Sequence, residues 1–160
     1  MFSLSSLYCK VKITKPQLEN FLKSPLEKPL LNQNWLKWWD SRKMHSKMEL
    51  TTDLLHAYND SKNQNVIDRF IKDSQTMAFS DYNESTEEWH WGILFFSENF
   101  VEMLPMLSFI ISLENYVSES TENMAIIFPF FLGEENVHSY VYFEDGKAIL
   151  SPKVKKLKDV

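Results

Sequence analysis

Basic residues are missing from the middle of this 160-residue sequence. No lysine or arginine occurs between residues 73 and 146, a segment that carries fourteen Asp and Glu residues. Residues 1–72 carry twelve Lys and Arg against seven Asp and Glu, and residues 147–160 carry five lysines against one aspartate. The net charge of −5 therefore hides an acidic middle between two basic ends. Because this middle would repel a phosphate backbone, we expect no direct binding of nucleic acid.

Cysteine and glycine are also scarce. Cys9 is the single cysteine, which excludes an intrachain disulfide and a C-x-x-C metal site. It alternates with apolar neighbours, so we expect a buried thiol rather than a nucleophile. The three glycines, Gly92, Gly133 and Gly146, are too scattered to form a phosphate-binding loop. The glycine-rich loops that bind nucleotide phosphates or dinucleotides are therefore excluded.

Long apolar runs are absent too. The most apolar stretch, FVEMLPMLSFIISL, is short for a membrane span and contains Glu102 and Pro105. The N-terminal stretch MFSLSSLYCKVKI has neither a basic flank nor an uninterrupted apolar core. We therefore expect no secretory signal, no membrane association and a cytoplasmic location.

The composition that remains is typical of a globular domain with a core of its own. The sequence is 44% hydrophobic and 24% charged, with 14% aromatic residues. Because large apolar patches are uncommon on soluble monomers, rings that do not fit in the core are expected at a binding surface. No repeat or boundary divides the chain, so we predict a single domain over residues 1–160, in which residues 146–160 include a basic tail.

Hydrophobic periodicity predicts a mixture of helices and strands. Strands are predicted at SSLYCKVKIT, EWHWGILFFS, MAIIFPFFL, VHSYVYFED and KAIL, and helices at PQLENFLKS, NWLKWWDSRK, MELTTDLLHAYND, QNVIDRFIKDSQTM and SENFVEMLPMLSFIISLENY. The last three strands follow one another through short turns, including the acidic turn GEEN, which favours antiparallel pairs. The predicted fold class is α+β, with helices packed on a mixed or mainly antiparallel sheet.

Local patterns also assign side chains within the helices. Thr14, followed three residues later by Gln17, predicts a helix start of the capping-box type. Trp35, Trp38 and Trp39 have the spacing of one helix face, which is more typical of a core than of a ligand site.

The strand EWHWGILFFS follows what we predict to be an acidic loop. One of its faces carries alternate large apolar residues, beginning with Trp89 and Trp91. The other face includes Leu94, so we predict that the far end of this strand is buried on both sides. Met77, the last residue of the predicted helix QNVIDRFIKDSQTM, is expected to point inward.

Two histidines leave an enzyme possible. His90 and His138 lie on predicted strands and could meet across the sheet beside carboxylates, which would suit zinc or iron. No H-x-x-x-H or H-E-x-x-H spacing accompanies them. We expect no catalytic residue, no metal and no cofactor, and keep a small metal-dependent hydrolase using His90 and His138 as an alternative.

The acidic, aromatic region is the remaining candidate for a site. If the sheet brings its loops to one end, a negative surface with aromatic anchors results, suited to a basic protein partner. The residues assigned to this surface are Asp81, Tyr82, Glu84, Glu87, Glu88, Trp89, Glu119, Glu122, Glu134 and Glu135. A structural adaptor module, in which the acidic middle pairs with the basic ends of its own chain, is the second alternative.

In its size, its acidic aromatic middle DYNESTEEWHWGILFFSENFVEML and its late strand MAIIFPFFL, the chain resembles the immunity proteins encoded beside bacterial polymorphic and contact-dependent-inhibition toxins. Such proteins are commonly small, cytoplasmic and acidic, and many bind a nuclease toxin and occlude its active site. The resemblance implies a non-enzymatic protein that neutralises a cognate toxin domain with a basic surface, expected to be a nuclease. It is one of general pattern and transfers no functional residue. The basic first 72 residues depart from a uniformly acidic inhibitor.

Overall fold

The computed structural model describes residues 4–27, 29–41, 48–56, 62–97, 100–129 and 139–151. They form six strands, five α-helices and one 3₁₀ turn. In chain order these are β1 (Leu4–Lys12), α1 (Lys15–Lys23), α2 (Gln33–Asp40), α3 (Thr52–His56), α4 (Asn63–Lys72), β2 (Ala78–Asn83), β3 (Glu88–Ser97), α5 (Phe100–Ser112), the 3₁₀ turn (Leu113–Asn115), β4 (Met124–Pro129), β5 (Ser139–Glu144) and β6 (Lys147–Ser151).

All six strands belong to one sheet in the order β2-β3-β1-β4-β5-β6. Every neighbouring pair is antiparallel. The first strand of the sequence lies inside the sheet, between β3 and β4. The predicted α+β class with a mainly antiparallel sheet is confirmed.

One face of the sheet, the core face, packs against the helices. Cys9 at its centre lies opposite Trp91 of β3 and Ala125 of β4, and these three residues are at most 1% exposed. Buried residues from all five helices belong to the same hydrophobic core. Helix α5 is the most deeply enclosed, because every residue from Met103 to Ile110 is buried, as expected of a helix that is apolar on all sides.

The predicted helix signals are confirmed. Thr14 caps α1, accepting a hydrogen bond from the Gln17 backbone N–H while the Gln17 side chain accepts from the Thr14 backbone N–H. Trp35, Trp38 and Trp39 are all buried in the core. The Trp38 indole N–H donates to the Ser139 hydroxyl at 2.7 Å, which ties α2 to β5.

Three predictions for this part of the chain are wrong. The segment predicted as an acidic loop contains an edge strand, β2, and only residues 84–87 form the turn to β3. Leu94 and Met77 were expected inside but are 46% and 58% exposed. The reason is that α4 ends at Lys72, well before Met77, and Leu94 belongs to the face of the sheet opposite the core.

Some predictions lie outside the described residues. These concern the turn GEEN with Glu134 and Glu135, residue His138 and the tail after residue 151. Within the described residues, no helix is both long and apolar enough to span a bilayer.

Candidate interaction surface

The second face of the sheet, which we call the open face, lies opposite the helices. Tyr8 and Lys10 of β1 lie on the open face. Opposed residues of an antiparallel pair share a face, so the register partners of these two residues on β3 and β4 lie there too, as do the next partners on β2 and β5. These are Phe79, Asp81, His90, Gly92, Met124, Ile126, Tyr140 and Tyr142. In the described part of the chain, all helices contribute to the core on the other side.

Large apolar side chains are exposed on the open face. Tyr8 is 36% exposed, Phe79 45%, Leu94 46% and Phe128 39%. They come from four adjacent strands, β2, β3, β1 and β4, and the rings of Tyr8 and Phe79 have centroids 6.3 Å apart. We call these four residues the apolar patch. Such a patch on a sheet face marks a candidate interaction surface.

Gly92 explains how the two rings approach each other. It lies between Phe79 and Tyr8 in the register of the sheet. A Cβ atom at this position would come within 2.8 Å of Cε1 of Phe79 and 2.7 Å of the Leu7 carbonyl oxygen. The missing side chain of Gly92 therefore lets the Phe79 ring lie across β3, a known way in which an aromatic residue covers a strand glycine.

β3 has a bulge next to Leu94 of the apolar patch. The pairing of β1 with β3 shifts between Ser5 and Leu7, so that β3 has one residue more than β1 at this point. The Ser6 hydroxyl donates to the Leu94 carbonyl oxygen at 2.8 Å. This bond satisfies a backbone acceptor at the irregularity, where ladder pairing is interrupted.

A polar row runs beside the apolar patch. The Tyr8 hydroxyl and Nδ1 of His90 lie 2.8 Å apart and share a hydrogen bond. Asp81 is the register partner of His90 on β2, and Lys10 is its partner on β1. Among the described residues, no three His, Cys, Asp or Glu side chains are grouped as a metal ion would require. The hydrolase alternative thus finds no assembled ligand set there, and His138 lies outside those residues.

Cys9 does not offer nucleophilic chemistry. It lies on the core face and has no exposed surface. Burial raises the pKa of the Cys9 thiol above its usual range, and the Trp91 indole N–H acts in the opposite direction with a smaller effect. A thiol held in its neutral form is a poor nucleophile, so its predicted role as a small core residue is confirmed.

Several acidic segments converge at one end of the sheet, which we call the acidic end. Two of them are bonded to the chain where β1 ends. The N–H of Ile13, the residue after β1, donates to the Glu87 carbonyl oxygen at 2.9 Å, and the Ser118 N–H donates to the Lys12 carbonyl oxygen at 2.7 Å. The Asn123 side chain accepts from the Lys12 N–H at 2.7 Å. The turn between β5 and β6 reaches the same end. The carboxylates of these segments are Glu84, Glu87, Glu88, Glu119, Glu122, Glu144 and Asp145.

Lysines from the N-terminal part of the chain neutralise part of this charge. Nζ of Lys10 lies 3.3 Å from Oε2 of Glu88 and 3.9 Å from Oε2 of Glu122, and Nζ of Lys15 lies 2.9 Å from Oε1 of Glu84. Lys15 lowers the pKa of Glu84. The pKa of Glu88 is lowered by a hydrogen bond from Thr86 and then by Lys10.

The acidic end nevertheless keeps an excess of negative charge. Glu87, Glu119 and Asp145 are exposed and have no ion-pair partner among the described residues. The seven carboxylates of this end outnumber the four lysines in the same part of the structure, which are Lys10, Lys12, Lys15 and Lys147.

The structure brings together five of the predicted partner-binding residues, namely Glu84, Glu87, Glu88, Glu119 and Glu122, at the acidic end. Asp81 lies on the open face.

The two predicted aromatic anchors require correction. Trp89 is 1% exposed and its indole N–H donates to the Ser80 hydroxyl at 2.8 Å. Tyr82 is partly buried and donates to the Ile13 carbonyl at 2.8 Å. Both residues point to the core face, so Trp89 cannot reach a partner.

Other rings take the exposed positions. Sequence reasoning missed Phe79, Leu94 and Phe128 as surface residues. The alternation of β1 did place Tyr8 on the polar side of that strand, together with Lys10. Phe79 had no such signal, because β2 was not recognised as a strand.

Comparison with known proteins gives no match. No family model matches the sequence, and neither a curated protein nor a solved structure matches the chain.

Proposed function

We propose that the protein is a non-enzymatic, cytoplasmic binding protein that neutralises a cognate bacterial toxin domain. The observation that carries this proposal is the acidic end, where carboxylates from three separate segments converge and outnumber the neighbouring lysines. The toxin part of the proposal comes from the resemblance to immunity proteins. A nuclease is the expected target, since an enzyme that binds nucleic acid presents a basic surface.

The physical role of the acidic end is to accelerate encounter with that basic surface. Complementary charges raise association rates well above the values seen for neutral partners, and added salt removes the effect. The exposed carboxylates of Glu87, Glu119 and Asp145 provide this field. Glu84, Glu88 and Glu122 contribute less, because Lys10 and Lys15 lie against them.

The adaptor alternative has an observation in its favour. The ion pairs of Lys10 and Lys15 join the basic N-terminal part of the chain to the acidic middle. If internal pairing were the main purpose of the acidic residues, high salt would markedly destabilise the fold. Exposed ion pairs usually contribute little to stability, so we expect the melting temperature to change little with salt.

A binding experiment tests the proposal. The probe is the C-terminal domain of the protein encoded immediately upstream of this gene, purified and mixed with the full chain in a stopped-flow instrument. We expect association to slow as salt is raised, and to slow by about tenfold in the double variant Glu87→Lys/Glu119→Lys. The matched control Glu49→Lys/Asp53→Lys makes the same change in net charge outside the acidic end and should slow association much less.

Two results would contradict the proposal. One is the absence of any complex between the chain and that domain. The other is a complex whose association rate responds equally to the Glu87→Lys/Glu119→Lys variant and to its control, since the position of the acidic end would then be irrelevant.

A further inference from the structure

The apolar patch on the open face is unlike the rest of the described sheet. On the core face, Cys9, Trp89 and Trp91 are at most 1% exposed, whereas Phe79 and Leu94 on the open face are 45% and 46% exposed. Contact with water costs free energy in proportion to apolar area, at about 25 cal/mol per Å². A partner that covered these side chains would recover that free energy.

The patch is also held in place before any partner arrives. The Phe79 ring rests across Gly92, within reach of Tyr8. The Tyr8 hydroxyl is fixed by its hydrogen bond with His90. Rings fixed on a strand lose little conformational entropy on binding, which is the property of the residues that dominate interface energies.

The open face and the acidic end are continuous. Glu88 and Lys12 are register partners on the open face, and Lys10, one position along from Tyr8 on that face, forms ion pairs with Glu88 and Glu122 of the acidic end. A partner that covers the patch can therefore also contact these carboxylates. An apolar centre with a charged border is the usual anatomy of a protein interface.

We infer that the open face supplies the apolar contact of the interface whose charged border is the acidic end. This inference rests on the proposed function and names the chemistry of the partner: a folded protein surface with an apolar centre and lysine or arginine along one side. A second copy of this chain fits less well, because it would bring another chain of net charge −5 and another acidic end to the same surface.

Binding of the same upstream-encoded domain to three variants tests the inference. Phe79→Ala and Leu94→Ala each remove apolar area from the patch, whereas the control Ile71→Ala does so on α4, where Ile71 is similarly exposed at 43%. We expect each patch variant to raise Kd by about tenfold, mainly through faster dissociation. The control should change Kd less than about twofold.

The outcomes separate this inference from the proposed function. If Phe79→Ala and Leu94→Ala bind like Ile71→Ala while Glu87→Lys/Glu119→Lys still slows association, the open face is not part of the interface and the acidic end remains so. Dimers of the free chain in light scattering that Phe79→Ala dissociates would also overturn the inference, because a second copy would then occupy the patch. Circular dichroism spectra like that of the unaltered chain, with melting well above the assay temperature, show that the two patch variants lose binding and not folding.

Discussion

The two faces of the sheet both carry large apolar residues, but those on the core face are buried and several of those on the open face are exposed. Trp89 and Trp91 alternate along β3 with Gly92 and Leu94, and Cys9 follows Tyr8 on β1. On the core face, the ring centroids of Trp89 and Trp91 lie 6.4 and 5.2 Å from the ring centroid of Phe109 in α5. On the open face, the apolar patch has no helix of the described chain above it.

Apolar character alone therefore does not tell which face of a strand is covered. Coverage depends on how many helices the rest of the chain can supply, and here the described helices all pack on one side. Because both faces of a strand can be apolar, the face left over is a candidate for contact with another molecule.

The largest expected effect is on the core face. Replacing Trp89 with alanine removes a ring that contacts Phe21, Trp91 and Phe109 and leaves a cavity. We expect the free energy of unfolding to fall by about 3–5 kcal/mol. The same truncation at Phe79 should cost about 1 kcal/mol, since its ring is half-exposed. Urea unfolding followed by circular dichroism measures both values.

A similar loss of stability in the two variants would contradict the contrast between the faces. It would mean that the Phe79 ring is enclosed in the folded protein and that the patch is not an exposed surface. Ile71→Ala serves as the control for truncation of an exposed apolar side chain.

The smallest expected effect concerns charge at the acidic end. Lys15 lowers the pKa of Glu84 from its ordinary value of 4.5. This carboxylate therefore stabilises the fold at pH values above 4.5, and the contribution is lost as the pH falls through the lowered value in the folded state. In the variant Lys15→Met, the pKa of Glu84 should move back toward 4.5.

An NMR titration of the side-chain carboxyl groups measures this shift directly. The matched control Lys62→Met removes a lysine outside the acidic end and should leave the pKa of Glu84 lowered. A Glu84 midpoint that is the same with and without Lys15 would show that the ion pair does not form in solution. The field of the acidic end would then be stronger than the structure indicates.

Much of the fold follows from local patterns. The capping box at Thr14, the stripe of Trp35, Trp38 and Trp39, and the antiparallel arrangement of the last strands were all readable from spacing. These features depend on neighbours in the sequence, so a single chain is enough to predict them. We predicted that the acidic loops would form one surface if the sheet brought them to the same end. The antiparallel topology does bring several of them to one end.

The features that were predicted wrongly all depend on contacts between residues far apart in the sequence. β2 is short and polar, and it forms a strand only because β3 pairs with it. Trp89 was assigned to a binding surface because it follows four carboxylates in the sequence, yet its strand turns it to the core. Leu94 was predicted to be buried because its neighbours are apolar, and only the placement of the helices leaves it exposed.

Hydrogen–deuterium exchange of the full chain, with and without the upstream-encoded domain, maps the surface that a partner covers. We propose that a partner covers the open face and the acidic end together. We expect exchange to slow in the complex at β2 (Ala78–Asn83) and in the turn of residues 84–87, and to stay unchanged in α2 (Gln33–Asp40) on the opposite side of the sheet. Slower exchange confined to α2, with β2 and the turn unaffected, would contradict it.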